Sequence, residues 1–218
     1  MSGDSKFFLG VVAAAVLVMV GIVSFSKDSS SIISSVTADQ LDESVGHKIG
    51  PDTAVVKIVE FGDFQCPACA SAAADFEKVQ SNNGDSVQII FRHFPLPNHQ
   101  NGMNGSLAAE AAGKQNKFWP MLDLLYVNQR QWENLDNPLD TYINYAKELD
   151  LNTDQFKADY QNADTKKAVE KDRDYGLALN VDSTPTFYVN KVKYTGGRTA
   201  ADWQALVDAA KASSTPAN

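Results

Sequence analysis

Cysteine is scarce in this sequence of 218 residues, which contains two cysteines and three histidines. Two cysteines cannot form the disulfide framework that holds many small secreted domains together. A structural zinc site usually needs four ligands, and a second cysteine pair is missing. His47, His93 and His99 do not stand at ligand spacing from a partner. Neither a metal site nor another cofactor is therefore expected.

Basic residues are also few, because 19 Lys and Arg stand against 27 Asp and Glu, which gives a net charge of −8. Binding to nucleic-acid phosphates needs a basic face, so nucleic acid is not expected as a partner. Hydrophobic residues make up 44% and charged residues 21% of the chain. These proportions are ordinary for a globular protein and exclude a largely disordered or collagen-like chain.

Long hydrophobic runs are absent except for one near the N-terminus, the uncharged stretch from Phe7 to Phe25. As a helix it spans about 28 Å, close to the roughly 30 Å hydrocarbon core of a membrane. A cleaved signal peptide is the alternative, although its apolar region usually has about 7–15 residues. We predict an uncleaved transmembrane anchor at residues 1–26 and a single-pass protein, with the rest of the chain outside the cytoplasm.

The chain after the anchor begins with a serine-rich stretch, 27–48, which has little hydrophobic periodicity and predicts a flexible linker. Two β-branched apolar runs, 54–61 and 87–93, predict buried strands. A helix is expected to start at Pro67, because proline is favoured at the first helical position. This β-α-β unit predicts a parallel strand pair with a right-handed crossover.

Residues 104–179 have helical periodicity throughout and contain no run typical of a strand. Two short strands and a helix are predicted after this block, at 186–189, 192–194 and 200–211. A polar tail at 213–218 is expected to be disordered. The order β-α-β, helical block, β-β-α predicts an α/β sandwich that is interrupted by a helical insertion.

The two cysteines, Cys66 and Cys69, stand together as C-x-x-C shortly after the first predicted strand. Residues three apart share one helix face, so both sulfurs come within disulfide reach. Cys66 at the helix N-terminus meets free N–H groups and the positive end of the helix dipole, which stabilise the reactive thiolate. Cys69, one turn further on, is expected to be more buried and to act as the resolving thiol. The pattern predicts a redox-active Cys66–Cys69 disulfide that exchanges with substrate thiols.

Other uses of a C-x-x-C pair are less well supported by the sequence. Haem attachment needs a histidine directly after the second cysteine, where this chain has Ala70. A structural disulfide across so short a loop would contribute little stability. A copper(I) carrier remains an alternative because two soft sulfurs suit Cu(I), although no Met or His lies between residues 50 and 92.

The stretch from Val59 to Cys69, VEFGDFQCPAC, resembles the active-site sequence of the DsbA-like thiol–disulfide oxidoreductases of bacteria, within the thioredoxin superfamily. Ser183 to Phe187 resembles the cis-proline loop of that superfamily, and Gly196-Gly197 and Lys117 to Trp119 also fit the pattern. The resemblance covers about residues 45–212. It implies an extracytoplasmic location at a bacterial cell membrane and protein thiols as substrates.

The resemblance also implies a thioredoxin fold with an inserted α-helical domain. The thioredoxin-like domain would comprise residues 49–103 and 180–212, and the helical insertion residues 104–179.

The resemblance further assigns roles to single residues. Cys66 matches the nucleophile and Cys69 the resolving thiol. Pro185 matches the cis-proline that faces the disulfide, and Thr184 the preceding residue, whose backbone pairs with an extended substrate. Glu60 matches the acidic residue beneath the site, a candidate proton acceptor for Cys69. An exposed carboxylate at the strand end is the alternative for Glu60.

Two further residues near the cysteines bear on activity. Phe64 is expected to be exposed and to form part of an apolar surface that binds substrate. Strongly oxidising members of the family often have a histidine inside the C-x-x-C motif, where this chain has Ala68. One source of thiolate stabilisation is therefore missing, and Cys66 is expected to be a weaker oxidant.

Taken together, these features predict a membrane-tethered dithiol oxidase that introduces disulfides into exported proteins with free thiols. A membrane redox partner would reoxidise the Cys66–Cys69 pair after each cycle. A reductase or isomerase with the same motif is the alternative within this class, and the copper(I) carrier is the alternative of another class. The intact cysteines argue against a module that only binds peptides.

Overall fold

Two parallel strands form the centre of a five-stranded sheet in the computed structural model, which describes residues 40–195 and 199–214. The strands are β1 (His47–Ile49), β2 (Val56–Gly62), β3 (Val87–His93), β4 (Thr186–Val189) and β5 (Val192–Thr195). Their order across the sheet is β1-β3-β2-β4-β5. β2 and β3 are parallel, and the other neighbouring pairs are antiparallel. The β-branched runs that predicted β2 and β3 are buried along nearly their whole length.

The helices of the described residues fall into three groups. α1 (Pro67–Asn83) makes the crossover between β2 and β3 and leads into a short 3₁₀ turn, Gly84–Ser86. Between β3 and β4 come α2 (Gly102–Gly113), α3 (Phe118–Val127), α4 (Gln129–Trp132), α5 (Leu139–Glu148), α6 (Thr153–Tyr160) and α7 (Ala163–Ala178). The last helix is α8 (Ala200–Ser214). The thioredoxin-like order with helices inserted between the two halves of the sheet is thus confirmed.

Each face of the sheet has its own apolar core. On one face, Val56 and Ile89 of the central strands pack with Phe76 of α1 and Trp203 of α8. The rings of Phe76 and Trp203 lie 4.7 Å apart. On the other face, Phe61 packs with residues around the end of α7.

A third apolar cluster fills the interior of the inserted helices and includes Met121, Leu125 and Trp132. Both cysteines belong to this cluster. The redox pair therefore lies where the thioredoxin-like sheet and the inserted helices meet.

The linker predicted at residues 27–48 extends too far toward the C-terminus, because its last residues belong to the folded domain. Its last residues form β1, in which His47 pairs with Phe91 of β3, and Leu41 is buried against the sheet. The guanidinium of Arg92 also lies 3.4 Å from the carbonyl oxygen of Val45. A three-residue edge strand is too short to show a period in the sequence, so the pattern does not distinguish it from a linker.

Several predictions fall on residues that the structure does not describe. These are the anchor at residues 1–26, most of the linker, the Gly196-Gly197 pair and the end of the polar tail. Ser213 and Ser214, which were assigned to that tail, belong to α8. Among the described residues, no helix has both the length and the apolar character that crossing a membrane requires.

Candidate active site

Cys66 is the residue that caps the N-terminus of α1, and Pro67 is the first residue inside the helix. The backbone N–H groups of Cys69 and Ala70 donate to the Cys66 carbonyl oxygen at 3.1 and 3.2 Å. The two cysteines are reduced and not joined by a disulfide in this structure. Cys66 retains 7% of its surface and Cys69 none. Only Cys66 can therefore meet a substrate sulfur.

The two thiols have opposite electrostatic environments. A hydrogen bond from the Cys69 side chain is the largest influence on Cys66, and it lowers the pKa of Cys66 to about 5 against the opposing effect of burial. Backbone N–H groups of Cys69 and Ala68 add to the lowering. Burial, above all, raises the pKa of Cys69 well above its usual value. At neutral pH Cys66 is thus a thiolate and Cys69 a neutral thiol.

The loop before β4 faces the reactive sulfur. The Thr184–Pro185 peptide bond is cis, as the resemblance implied. The carbonyl oxygen of Thr184 lies 3.3 Å from Sγ of Cys66 and accepts its hydrogen bond when the thiol is protonated. The Thr186 hydroxyl donates to the Ser183 carbonyl oxygen at 2.8 Å and closes the turn. The structure therefore brings Thr184 and Pro185 to Cys66, although they are more than a hundred residues apart in sequence.

Glu60 lies on β2 and is 3% exposed, so the alternative of an exposed carboxylate at the strand end is wrong. Its Oε1 atom is buried and has no hydrogen-bond partner among the described residues. Burial, with a smaller contribution from the Cys66 charge, raises the pKa of Glu60 to about 8. A carboxyl group with a pKa near neutrality can both accept and release a proton.

A cavity of about 230 Å³ reaches the Glu60 side chain between α1, β3 and α3. Its lining includes two further carboxylates, Glu77 and Asp123, and the indole of Trp119. Burial and the Glu77 charge raise the pKa of Asp123. The cavity is large enough to hold water molecules beside the buried carboxyl group.

Phe64 is fully buried, and the expectation that it forms an exposed substrate surface is wrong. Its ring packs 5.1 Å from that of Tyr126 and 5.3 Å from that of Phe91. Its carbonyl oxygen accepts a hydrogen bond from the Gln129 side chain at 2.7 Å. The inserted helices cover the position, which the sequence around Cys66 could not show. Phe64 therefore anchors the cysteine loop in the core.

Asp63 was missed by the sequence analysis, although it belongs to the motif that carries the resemblance. Its buried carboxylate accepts hydrogen bonds from the backbone N–H groups of Gln65 and Leu96, both at 2.8 Å. Nδ1 of His99 lies 2.7 Å from the same carboxylate. The Asp63 N–H is directed at Sγ of Cys69, 3.5 Å away. Asp63 thus fixes the loop that carries both sulfurs.

No histidine stands at ligand spacing from a partner in the sequence, yet two of them meet the same carboxylate in the fold. The Nε2 atoms of His47 and His93 lie 2.7 and 2.9 Å from the same carboxylate oxygen, Oε1 of Glu110. Burial acts to raise the pKa of Glu110, but the hydrogen bonds from both histidines outweigh it and hold the pKa below its usual range. The three residues come from separate parts of the sequence, so spacing could not reveal the cluster.

A family model described as thioredoxin matches residues 42–209. The chain belongs to the thioredoxin family. Its relatives include the probable disulfide bond formation protein D of Bacillus cereus, with 32% identity over 87% of this chain and 90% of that protein. The Na⁺/H⁺ antiporter NhaA of Herminiimonas arsenicoxydans is 32% identical over 78% of this chain. This chain spans about a quarter of the length of that antiporter (26%).

Solved structures of this thioredoxin-like family show the same fold. α-DsbA1 of Wolbachia pipientis superposes with a TM-score of 0.73 at 19% identity, covering 82% of this chain and 98% of that one. Oxidised BdbD of Bacillus subtilis superposes with a TM-score of 0.65 at 26% identity, covering 77% and 91%. The fold is therefore a DsbA-type thioredoxin fold, and these relationships support thiol–disulfide oxidoreductase activity.

Proposed function

We propose that this protein introduces disulfides into exported proteins by thiol–disulfide exchange through Cys66 and Cys69, on the extracytoplasmic side of the membrane. The observation that carries the proposal is the difference between the two thiols in accessibility and in pKa. Cys66 is partly accessible and its pKa is lowered to about 5, whereas Cys69 is buried and its pKa is raised. A stabilised Cys66 thiolate favours the reduced form, which makes the oxidised form a disulfide donor.

The reaction begins with the Cys66–Cys69 disulfide. A substrate thiolate attacks Sγ of Cys66, forms a mixed disulfide and displaces Sγ of Cys69, which takes up a proton. Glu60 is the group placed to supply that proton and to recover it when the pair is reoxidised. The second substrate thiolate then attacks the substrate sulfur of the mixed disulfide. This step closes the substrate disulfide and releases Cys66 as a thiolate. Two electrons pass from the substrate dithiol to the cysteine pair.

Substrate binding is proposed to use the backbone around Thr184. An extended segment with a cysteine would pair with this backbone and place its sulfur at Cys66. The 3.3 Å distance from the Thr184 carbonyl oxygen to Sγ of Cys66 supports this arrangement, because it puts the pairing edge beside the reacting atom. Phe64 takes no part, since its side chain is buried.

The catalytic cycle leaves both cysteines reduced, so an oxidant must restore the disulfide. We propose a membrane protein in this role, because the uncharged stretch from Phe7 to Phe25 would hold the domain at the membrane surface. The relative in Bacillus cereus that matches most of this chain is named for disulfide bond formation.

Disulfide transfer can be tested with the oxidised full-length protein and a reduced, unfolded ribonuclease. Alkylation followed by mass spectrometry counts the free thiols on each protein over time. We expect the ribonuclease to lose two thiols for each pair that appears at Cys66 and Cys69, and the Cys66→Ser variant to transfer none. Unchanged ribonuclease thiols in the presence of the oxidised protein would contradict the proposal.

Location can be tested with a thiol reagent that does not cross membranes. Intact bacteria that express the full-length protein are first treated with a permeant reductant and then with the reagent. We expect labelling of Cys66 without lysis, and loss of the protein from the membrane fraction when residues 1–26 are deleted. Labelling only after lysis would place the domain in the cytoplasm and exclude exported clients.

A further inference from the structure

Three side chains with metal-binding atoms converge at the edge of the sheet, and the redox mechanism uses none of them. His47 lies on β1, His93 at the end of β3 and Glu110 on α2. One ligand atom of each residue lies within 4.8 Å of the ligand atoms of the other two. Neither cysteine belongs to this cluster.

The sheet register explains how the two histidines meet. β1 runs antiparallel to β3, and His47 stands directly opposite Phe91. Side chains alternate between the faces of a strand, so His93, two residues beyond Phe91, lies on the same face diagonally from His47. α2 crosses this face and brings the Glu110 carboxylate between the two rings.

Aromatic side chains hold both imidazoles in place. Phe118 stacks on His47 with ring centres 3.5 Å apart and planes within 4°. The same phenyl ring meets His93 edge-on at 5.8 Å. His93 is fully buried, whereas the side chains of His47 and Glu110 keep 26% and 16% exposure. The cluster is thus fixed on its inner side and open to solvent at His47.

We propose that His47, His93 and Glu110 form a binding site for a divalent transition-metal ion of the zinc class. Two imidazole nitrogens and one carboxylate oxygen suit zinc, copper(II) and nickel, whereas calcium and magnesium prefer oxygen ligands alone. Three protein ligands with one open position are the arrangement of zinc sites that also hold water.

The two nitrogen-to-oxygen distances are close to those that such an ion requires. Zinc lies about 2.0–2.1 Å from imidazole nitrogen, so neighbouring ligand atoms of a tetrahedral site are about 3.3 Å apart. The observed separations of 2.7 and 2.9 Å between nitrogen and oxygen are slightly shorter. Metal binding would move the proton of each imidazole to Nδ1. At each histidine the bond from Nε2 to the ion would replace the hydrogen bond to Glu110. At His93 the displaced proton would be a buried donor with no partner among the described residues, a cost that ion binding must offset.

The bound ion would join β1 to β3 and α2. β1 is a three-residue edge strand that pairs with β3. The Trp119 indole also donates to the carbonyl oxygen of Lys48 at 2.9 Å. An ion that binds the folded protein and not the unfolded chain raises the midpoint of thermal unfolding. Binding of an ion at the proposed site would therefore stabilise the N-terminal edge of the domain.

The test uses the full-length protein, freed of metal with a chelator and kept with its cysteines oxidised. Equilibrium dialysis measures Zn²⁺ bound per chain, and thermal unfolding is followed with and without Zn²⁺. Co²⁺ then replaces Zn²⁺ as a spectroscopic probe. Imidazole and carboxylate ligands give visible d–d bands, and a thiolate ligand adds a near-ultraviolet charge-transfer band.

We expect one Zn²⁺ per chain, a rise of about 5 °C or more in the unfolding midpoint at saturation, and Co²⁺ bands without the thiolate signal. His47→Phe keeps the stacking on Phe118 but removes a ligand, and Glu110→Gln removes the carboxylate charge. Each change should weaken Zn²⁺ binding by at least about tenfold. His99→Phe, a histidine outside the cluster, and the double variant Cys66→Ser/Cys69→Ser should bind as the unchanged protein does.

Three results would overturn the proposal. One is the absence of Zn²⁺ binding at free concentrations well above that of the protein. Another is a Co²⁺ spectrum with the thiolate band that disappears in the double cysteine variant, which would place the ion at Cys66 and Cys69. The last is undiminished binding in both His47→Phe and Glu110→Gln when circular dichroism shows that these variants are folded.

Discussion

At the scale of single residues, Cys66 owes its reactivity to groups that donate to its sulfur. The Cys69 thiol is the largest influence on the lowered pKa, and the backbone N–H groups at the start of α1 support it. The motif therefore acts as a unit, in which the buried Cys69 thiol stabilises the Cys66 thiolate. Ala68 contributes only its backbone to this arrangement.

The titration of Cys66 gives a first prediction. The rate of alkylation of the reduced protein by iodoacetamide should rise with a midpoint near pH 5, because only the thiolate reacts. Cys69→Ala should move the midpoint upward, since the main donor is lost, and Cys69→Ser should move it less, because a hydroxyl can still donate. A midpoint near 9 in the unchanged protein would contradict this account of the site.

The same pKa predicts how the reduced form responds to pH. The folded pKa of Cys66 lies below the unfolded value, so the thiolate contributes stability above the unfolded pKa, and this contribution is lost as pH falls toward about 5. The unfolding midpoint of the reduced protein should therefore exceed that of the oxidised protein at neutral pH. Calorimetry of both forms should show the difference shrinking on acidification.

The contribution of Glu60 to folding stability depends on pH in the opposite direction. Its folded pKa of about 8 lies above the unfolded value of a glutamate, so its contribution to stability is full below the unfolded pKa and is lost as pH rises through about 8. Glu60→Gln should therefore stabilise the protein more at pH 8 than at pH 5, as measured by urea unfolding. An equal effect at both pH values would mean that the carboxyl group is not held protonated.

Glu60→Gln also tests the proton-transfer role. A glutamine cannot exchange a proton with Cys69, so the displacement of Cys69 by a substrate thiol should slow by roughly 100-fold near neutral pH. Stopped-flow measurement of mixed-disulfide formation gives this rate. The alkylation midpoint of Cys66 serves as the control and should stay near pH 5, because Glu60 is not among the groups that set it. A normal displacement rate would remove Glu60 from the mechanism.

At the scale of elements, the cysteine loop is held by the helices that cover it. Phe64 packs against Tyr126 of α3, and Gln129 of α4 donates to its carbonyl oxygen. Asp63 joins the same loop to the segment after β3 through Leu96 and His99. The inserted helices therefore support the reactive loop, in addition to flanking it.

Phe64→Ala should destabilise the protein by about 3–5 kcal/mol, because a buried ring is removed from a closed core. Val127→Ala is the matched control, since Val127 is 82% exposed on a neighbouring helix and its loss should change stability by less than about 0.5 kcal/mol. Urea unfolding measures both effects. A Phe64→Ala variant with unchanged stability but weaker substrate binding would restore the surface role that the sequence suggested.

The sequence predicted the long elements because their signals are local. The β-branched runs of β2 and β3 and Pro67 at the start of α1 each lie within a few residues of the feature that they specify. β1 was missed because its three residues show no period, and the burial of Phe64 depends on helices far along the chain. The cluster of His47, His93 and Glu110 depends on strand register, which no local spacing encodes.

At the scale of the whole molecule, the redox site lies at the junction of the sheet and the inserted helices. Both cysteines share a core with helices α2 to α6, while the cis-proline loop reaches them from the other half of the sheet. The inserted helices support the loop that carries the sulfurs, and the loop before β4 carries the Thr184 backbone that is proposed to pair with substrate. The environment of Cys66 therefore depends on residues from both halves of the thioredoxin-like domain and from the insertion.

The reduction potential of the Cys66–Cys69 pair, measured in the full-length protein against glutathione, tests the central claim most directly. A Cys66 pKa of about 5 lies between those of thioredoxin, about 7, and DsbA, about 3.5. We therefore predict a potential between about −200 and −120 mV, in the range of proteins that donate disulfides. A potential near −270 mV, like that of thioredoxin, would contradict the account and make the protein a reductase.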